Sequence, residues 1–219
     1  MPENTIPKQF IRIWLGPKPC PQLFEDWWEG FKNIHPDYKF ITITDNTDIP
    51  MPKPIRDIYE EKGHSYSAKS DVLRILALYE YGGIYLDVDV MPIKSFDSLL
   101  GTQPFIGKRS SKSFGTGVIG SPARHPALLD ALRRFPQWDS EWRGDGHHTL
   151  HGPAWMSKEW FGREDITHLE PEVFYPYDGF MAPKTPEKIK IFQEANFPPE
   201  MIAAHYSNGM KSTAVYFKT

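Results

Sequence analysis

An α/β fold with a central, mostly parallel mixed sheet flanked by helices is what this sequence predicts. Three observations carry that expectation. Strand-like and helix-like stretches alternate from the N-terminus onward, the pattern of a parallel sheet with crossover helices. One unit, Ser67 to Val90, joins an almost wholly apolar helix to an alternating strand through Gly82-Gly83. The chain has 219 residues, enough for one full hydrophobic core, with no repeat, long linker or low-complexity stretch. A single domain over residues 1–219 is expected.

Phe10 to Leu15 reads as the first strand, stopped by Gly16-Pro17, with Trp14 near its C-terminal end. Gln22 to Ile34 carries Leu23, Phe24, Trp27, Trp28, Phe31 and Ile34 at helical spacing. Pro36-Asp37 turns the chain into an alternating strand, Tyr38 to Thr44. A proline-rich connection leads to a short helix, Ile55 to Lys62, and then to the central unit. Beyond it, Phe105 to Lys108 and Gly117 to Gly120 read as short strands. His125 to Phe135 reads as a helix, Trp138 to Leu150 as loop and Pro153 to Trp160 as a short helix. Ile166 to Tyr175 contains a further strand, and Ile202 to Tyr206 reads as the last.

Composition excludes some classes. The net charge of −3, with Lys and Arg scattered, leaves no electrostatic footprint for nucleic acid. The lone cysteine, Cys20, cannot form an intrachain disulfide and fits a reducing compartment. The N-terminus lacks the basic-then-apolar pattern of a signal peptide, and no apolar run is long enough to span a bilayer. The expectation is a cytoplasmic protein with no transmembrane segment, peripheral membrane contact being left open. Seven Trp and ten Tyr suit stacking on sugars or bases, although any single one is more often core.

In the central helix, Ser67, Ser70, Asp71 and Arg74 fall at i, i+3, i+4 and i+7, one polar stripe on an otherwise apolar cylinder. A stripe of that kind lines an internal polar network or a cleft. In the strand, Ile84, Leu86, Val88 and Val90 point one way and Tyr85, Asp87 and Asp89 the other. Two carboxylates on one face, their Cα atoms about 6.5–7 Å apart, repel unless paired, and a divalent cation is the simplest resolution. A lone Asp-x-Asp is weak evidence. Its position here, at the end of a central parallel strand where ligands bind, strengthens it.

The run S-x-x-S-D-x-x-R followed by Y-G-G-x-Y-x-D-x-D resembles the signature of glycosyltransferase family 32 and its relatives, which include mannosyltransferases, α-1,4-glycosyltransferases and the clostridial glucosylating toxins. The opening I-P-K-Q-F-I-R-I-W-L-G, the segment G-V-I-G-S-P-A-R-H-P, His151-Gly152-Pro153 and Ala203 to Ser207 are similar to flanking blocks of that family, in the expected order. The resemblance implies a GT-A fold and metal-dependent, retaining transfer of a hexose from a nucleotide sugar. By the same resemblance Trp14 would stack on the base. Ser70, Asp71 and Arg74 would hold the donor sugar, Tyr85 would line the donor pocket, and Asp87 would reach the ribose or sugar and the metal. Asp89 would ligate Mn²⁺ or Mg²⁺ bridging the diphosphate, where a fixed cation stabilises the leaving group's charge. The catalytic set expected is therefore Asp71, Arg74, Asp87 and Asp89, and His205 is the candidate for a further metal ligand or diphosphate contact.

The departures from the family pattern are Thr116, His151 and the sequence N-G-M-K-S-T after His205, where Asn208 or Ser212 would replace a Ser-Trp. His147, His148 and His151 share one segment without a Cys partner or a helical H-E-x-x-H pattern, so an acceptor-side loop is expected rather than zinc. No residue announces a nucleophile, Asp145 being the only candidate, and front-face attack is the expectation. A UDP-sugar is the favoured donor because the stacking Trp resembles that branch, and GDP-mannose stays open. The acceptor expected is a glycan or glycolipid in surface polysaccharide synthesis. Two rivals remain. A carbohydrate-binding module would use Asp87 and Asp89 for a structural cation, but leaves the Asp71/Arg74 stripe without a purpose. A haloacid dehalogenase-type phosphatase would place its acids on the first strand.

Overall fold

The computed structural model describes residues 5–61, 64–144, 152–175 and 186–206. Strand β1 (Gln9–Ile13) lies between β2 (Lys39–Ile43) and β3 (Gly83–Leu86), parallel to both. β3 pairs antiparallel with β6 (Ser113–Ser121), β6 antiparallel with β5 (Phe105–Ser110), and β5 parallel with β7 (Thr167–Leu169). The order is β2-β1-β3-β6-β5-β7. Parallel pairs thus outnumber antiparallel ones in a mixed sheet, as expected. A second sheet of two antiparallel strands joins β4 (Val90–Pro92) to β8 (Ala203–His205). Helices α1 (Gln22–Ile34), α2 (Lys53–Glu60), α3 (Tyr66–Tyr81), α4 (Pro126–Gly144), α5 (Gly152–Trp160) and α6 (Pro186–Gln193) surround these sheets.

The pleat divides the core. Ile11, Ile13 and Tyr85 point to one face, where they meet Val72, Leu76 and the aromatic cluster Phe135, Trp138 and Trp155 of α4 and α5. Phe10, Ile84 and Leu86 point to the other and meet Trp28 and Phe31 of α1. α3 is buried from Asp71 through Leu78, as its all-round apolar pattern requires. Its first turn is capped by the Ser65 hydroxyl, which accepts from Ala68 N (3.2 Å). Its end is set by Gly82 and Gly83, both at positive φ. A Cβ on Gly82 would come within 2.6 Å of Ala123 N, and one on Gly83 within 2.7 Å of the Gln9 carbonyl. Only glycine fits both the turn and the close approach.

The structure corrects two expectations. The strand expected to run to Val90 leaves the main sheet after Leu86, and Val90 begins β4 in the other sheet. The segment from Trp138 onward, expected as loop, continues α4 through Pro136 to Gly144. Proline costs a helix about 3 kcal/mol. Burial of Phe135 and Trp138 on either side, together with the Arg143–Asp139 ion pair (2.9 Å), outweighs it. His147, His148, His151, Asp145, Asn208 and Ser212 lie outside the described residues.

Candidate active site

The site forms where β3 ends. Asp87 N donates to Gly117 O (2.7 Å), the last rung between the β3 segment and β6. The chain then turns, Val90 N donating to Asp87 O (3.2 Å), and crosses into β4. Asp89 O in turn accepts from Tyr206 N (2.9 Å), which brings β8 alongside. A turn rather than strand alternation therefore brings the two acids together. Ligand atoms of Asp87, Asp89 and His205 all lie within 4.8 Å of one another.

Arg74 is the hub beside this cluster. Its Nε donates to Ser70 O (3.2 Å) and its Nη1 to Thr116 O (2.6 Å). It pairs with Asp71 (2.9 Å) and Asp87 (3.3 Å), and its guanidinium lies 4.8 Å from the Tyr85 ring centroid. A planar fork with five donors can serve that many partners at once. Asp71 sits behind Arg74. Its Oδ2 accepts from Gly152 N (2.8 Å), at the positive end of α5, and no Cβ fits on Gly152 without entering the carboxylate. Tyr85 donates its hydroxyl to Asp87 Oδ1 (2.6 Å).

Three carboxylates thus face one guanidinium and one imidazole. Burial penalises the charge on Asp87, but Arg74 and the hydrogen bonds from His205 and Tyr85 outweigh it and hold its pKa down at about 2. Burial also opposes a charged His205. Asp89 and Asp87, at 3.2 and 3.4 Å from Nε2, overcome it and raise its pKa to about 9. The proton on His205 therefore stands where a cation would sit. Two carboxylates and an imidazole converging in this way can hold a divalent cation.

A cavity of about 630 Å³ opens beside the cluster, lined by Trp14, Gly16, Tyr66, Ser70, Arg74, Tyr85, Asp87 and Asp89 among others. Trp14 Nε1 donates to Lys18 O (2.7 Å), which holds the ring in the cavity wall. Gly16 N donates to Asp45 Oδ2 (2.7 Å), and Tyr66 lies against Gly16 so closely that a Cβ there would be 2.6 Å from its ring. The Ser70 hydroxyl donates back to Tyr66 O (2.8 Å).

The structure therefore brings Trp14, Ser70, Arg74, Tyr85, Asp87 and Asp89 to one cavity, and His205 to the acids at its edge. Asp71, expected at the sugar, is engaged by Arg74 and the α5 N-terminus. Sequence reasoning missed Tyr66, Gly152 and the carbonyls of Thr116 and Gly117. The first two sit next to residues that were singled out, Ser67 and His151. Backbone carbonyls leave no residue-type signal, so Thr116 drew notice for its side chain instead.

Comparison with known proteins now bears on the site. Residues 21–106 match the family described as a glycosyltransferase sugar-binding region containing a DXD motif. The chain is similar to a mannosyl phosphorylinositol ceramide synthase of Saccharomyces cerevisiae, 32% identical over 54% of this chain and 32% of that protein. It is similar to inositol phosphoceramide mannosyltransferase 3 of Schizosaccharomyces pombe, 31% identical over 61% of this chain and 38% of that protein. The chain spans about a third of the length of these curated relatives. Among solved structures, the PaToxG glycosyltransferase superposes with a TM-score of 0.60 at 21% identity, covering 73% of this chain and 70% of the other. The sheet order and this likeness establish the GT-A fold. Over residues 21–106 the chain is similar to the glycosyltransferases that carry this sugar-binding region, and Asp87-Val88-Asp89 is the D-x-D within that stretch.

Proposed function

We propose that this protein transfers a hexose from a nucleoside-diphosphate sugar to a hydroxyl of a glycolipid or glycan, with a divalent cation at Asp87, Asp89 and His205. The observation that carries the reading is the convergence of those three ligand atoms within 4.8 Å at the edge of a cavity that Trp14 also lines. A cation bound there would act as a Lewis acid toward the leaving diphosphate. The chain's own residues do the rest. Trp14 offers a stacking face for the base, with its N–H already spent on Lys18. Arg74 holds Asp87 in place and keeps positive charge beside the diphosphate. Tyr85 orients Asp87 through its hydroxyl, leaving Oδ2 toward His205. The carboxylates that line the cavity among the described residues, Asp87 and Asp89, are engaged by Tyr85, Arg74 and His205, and front-face attack is the route we favour.

The names of the two curated relatives favour mannose and an inositol phosphoceramide-like acceptor, hence GDP-mannose. The resemblance of Trp14 to the UDP-sugar branch favours UDP. The test is a panel of GDP-mannose, UDP-glucose, UDP-galactose and UDP-N-acetylhexosamines with Mn²⁺, measuring nucleoside diphosphate release with and without a glycolipid acceptor. The expected result is Mn²⁺-dependent release from one donor, stimulated by acceptor. No release from any donor, with glycan binding retained, would favour the carbohydrate-binding module.

A further inference from the structure

Along the segment of β6 that touches the site, the ladder with β3 runs on to Leu86–Val118 while the ladder with β5 is broken. Ile106 pairs with Ile119 and Lys108 with Phe114. Between those rungs β5 contributes only Gly107, while β6 contributes Gly115, Thr116, Gly117 and Val118. β6 therefore bulges out of the ladder, far beyond the single extra residue of an ordinary bulge. What the bulge presents is the rear wall of the site. Thr116 O receives Arg74, Gly117 O receives Asp87 N, and the bare Cα of Gly117 admits the His205 ring, since a Cβ there would be 2.9 Å from Nε2.

A bulge of this size leaves a hole between the strands, and one ring fills it. Tyr175 is 5% exposed and lies between Gly107 and Gly115. A Cβ on Gly107 would come 2.7 Å from its ring, and one on Gly115 would fall on the phenol itself. The ring meets that of His205 edge-on, with centroids 5.5 Å apart. Its neighbour Phe174 accepts from His205 N (2.8 Å), so the same short stretch holds both backbone and ring of the candidate ligand. Among the described residues the hydroxyl lies near the Val118 N–H and completes no hydrogen bond, while the ring fills the space over the two glycines.

We propose that Tyr175 is a positioning residue: its ring props open the β6 bulge whose carbonyls and bare Cα atoms set Arg74, Asp87 and His205. The inference rests on the metal-dependent glycosyl-transfer reading and names what holds that site in shape. Without the ring the strands close toward regular register, because an unfilled hole of this size is unfavourable. Gly115 and Gly117 are then required as glycine by the rings laid against them, not by backbone angle.

The test uses the purified chain with Tyr175→Phe, Tyr175→Leu and Gly115→Ala, and Ile55→Ala as a core control on α2, in the cluster that does not contain Tyr175. Two readouts are needed: Mn²⁺ affinity measured with the metal alone by electron paramagnetic resonance, and amide exchange over residues 83–90 and 113–121. Tyr175→Phe should match wild type in both. Tyr175→Leu and Gly115→Ala should weaken Mn²⁺ roughly tenfold or more, the size of loss typical when a ligand's support is removed, and should speed exchange in both segments. Ile55→Ala should lower Tm and leave both readouts unchanged. Wild-type Mn²⁺ affinity and wild-type exchange in Tyr175→Leu would overturn the proposal. If wild type itself binds no Mn²⁺, the metal reading falls and the exchange arm decides alone: faster exchange supports the prop, and unchanged exchange overturns it.

Discussion

At the scale of single residues, the site depends on atoms that side-chain chemistry does not advertise. Asp71 is held by a backbone N–H, and that N–H is available only because Gly152 leaves room. Gly152→Ala should drive a methyl into the carboxylate, displace the Asp71–Arg74 pair and lower kcat at least tenfold, at a stability cost of about 1–3 kcal/mol. Steady-state kinetics beside a denaturant titration would check this. An unchanged kcat would mean that Asp71 contributes packing alone. Cys20 gives a second residue-scale expectation. Burial and the nearby Glu25 carboxylate push its thiol up to about 12, with Arg12 acting in the opposite sense. A raised thiol pKa means less thiolate at any pH below it. Native protein at pH 8 should therefore react with iodoacetamide roughly a hundredfold or more slowly than the same chain in denaturant. Its reactivity should climb only as pH rises toward 12.

At the scale of elements, the α3–β3 unit was legible because every local signal agreed: Ser65 at the cap, apolar residues around the cylinder and two glycines at the exit. Gly82→Ala should be costly for the reasons visible there. It would force an L side chain to φ 64° and bring a Cβ onto the Ala123 amide. Strain of this kind costs about 1–3 kcal/mol, which should lower Tm by several degrees for a domain this size. A thermal melt equal to wild type would contradict the account of this turn. The end of β3 was less legible. Val88 and Val90 continue the alternation, so the period alone runs straight through the turn. What ends the strand is long-range: Asp89 O accepts from Tyr206, and β4 pairs with β8, whose residues are more than a hundred positions away. The extension of α4 past Pro136 was hidden likewise, because a local breaker was overridden by aromatic packing with α5.

At the scale of the whole molecule, the sequence foretold which side chains gather at the cavity and left its rear wall dark. Trp14, Arg74, Tyr85 and the two acids announce themselves by residue type and by position at strand and helix ends. Their support comes from β6, from α5 and from the Phe174-Tyr175 stretch, through carbonyls, one N–H and missing Cβ atoms. Those contributions depend on the sheet order β1-β3-β6-β5, which no local pattern encodes. Among the described residues no helix is long and apolar enough to cross a membrane. In the proposed function Asp87, Asp89 and His205 hold a cation that in turn holds a nucleoside diphosphate. Isothermal titration of GDP and UDP into wild type and into Asp87→Asn/Asp89→Asn, each with Mn²⁺ and with EDTA, tests it most directly. The account predicts binding of one nucleotide to wild type with Mn²⁺, at least a hundredfold weaker in EDTA, and no Mn²⁺ dependence in a double variant that still melts cooperatively. Equal nucleotide affinity with and without Mn²⁺, or Mn²⁺-dependent binding surviving in the double variant, would contradict it.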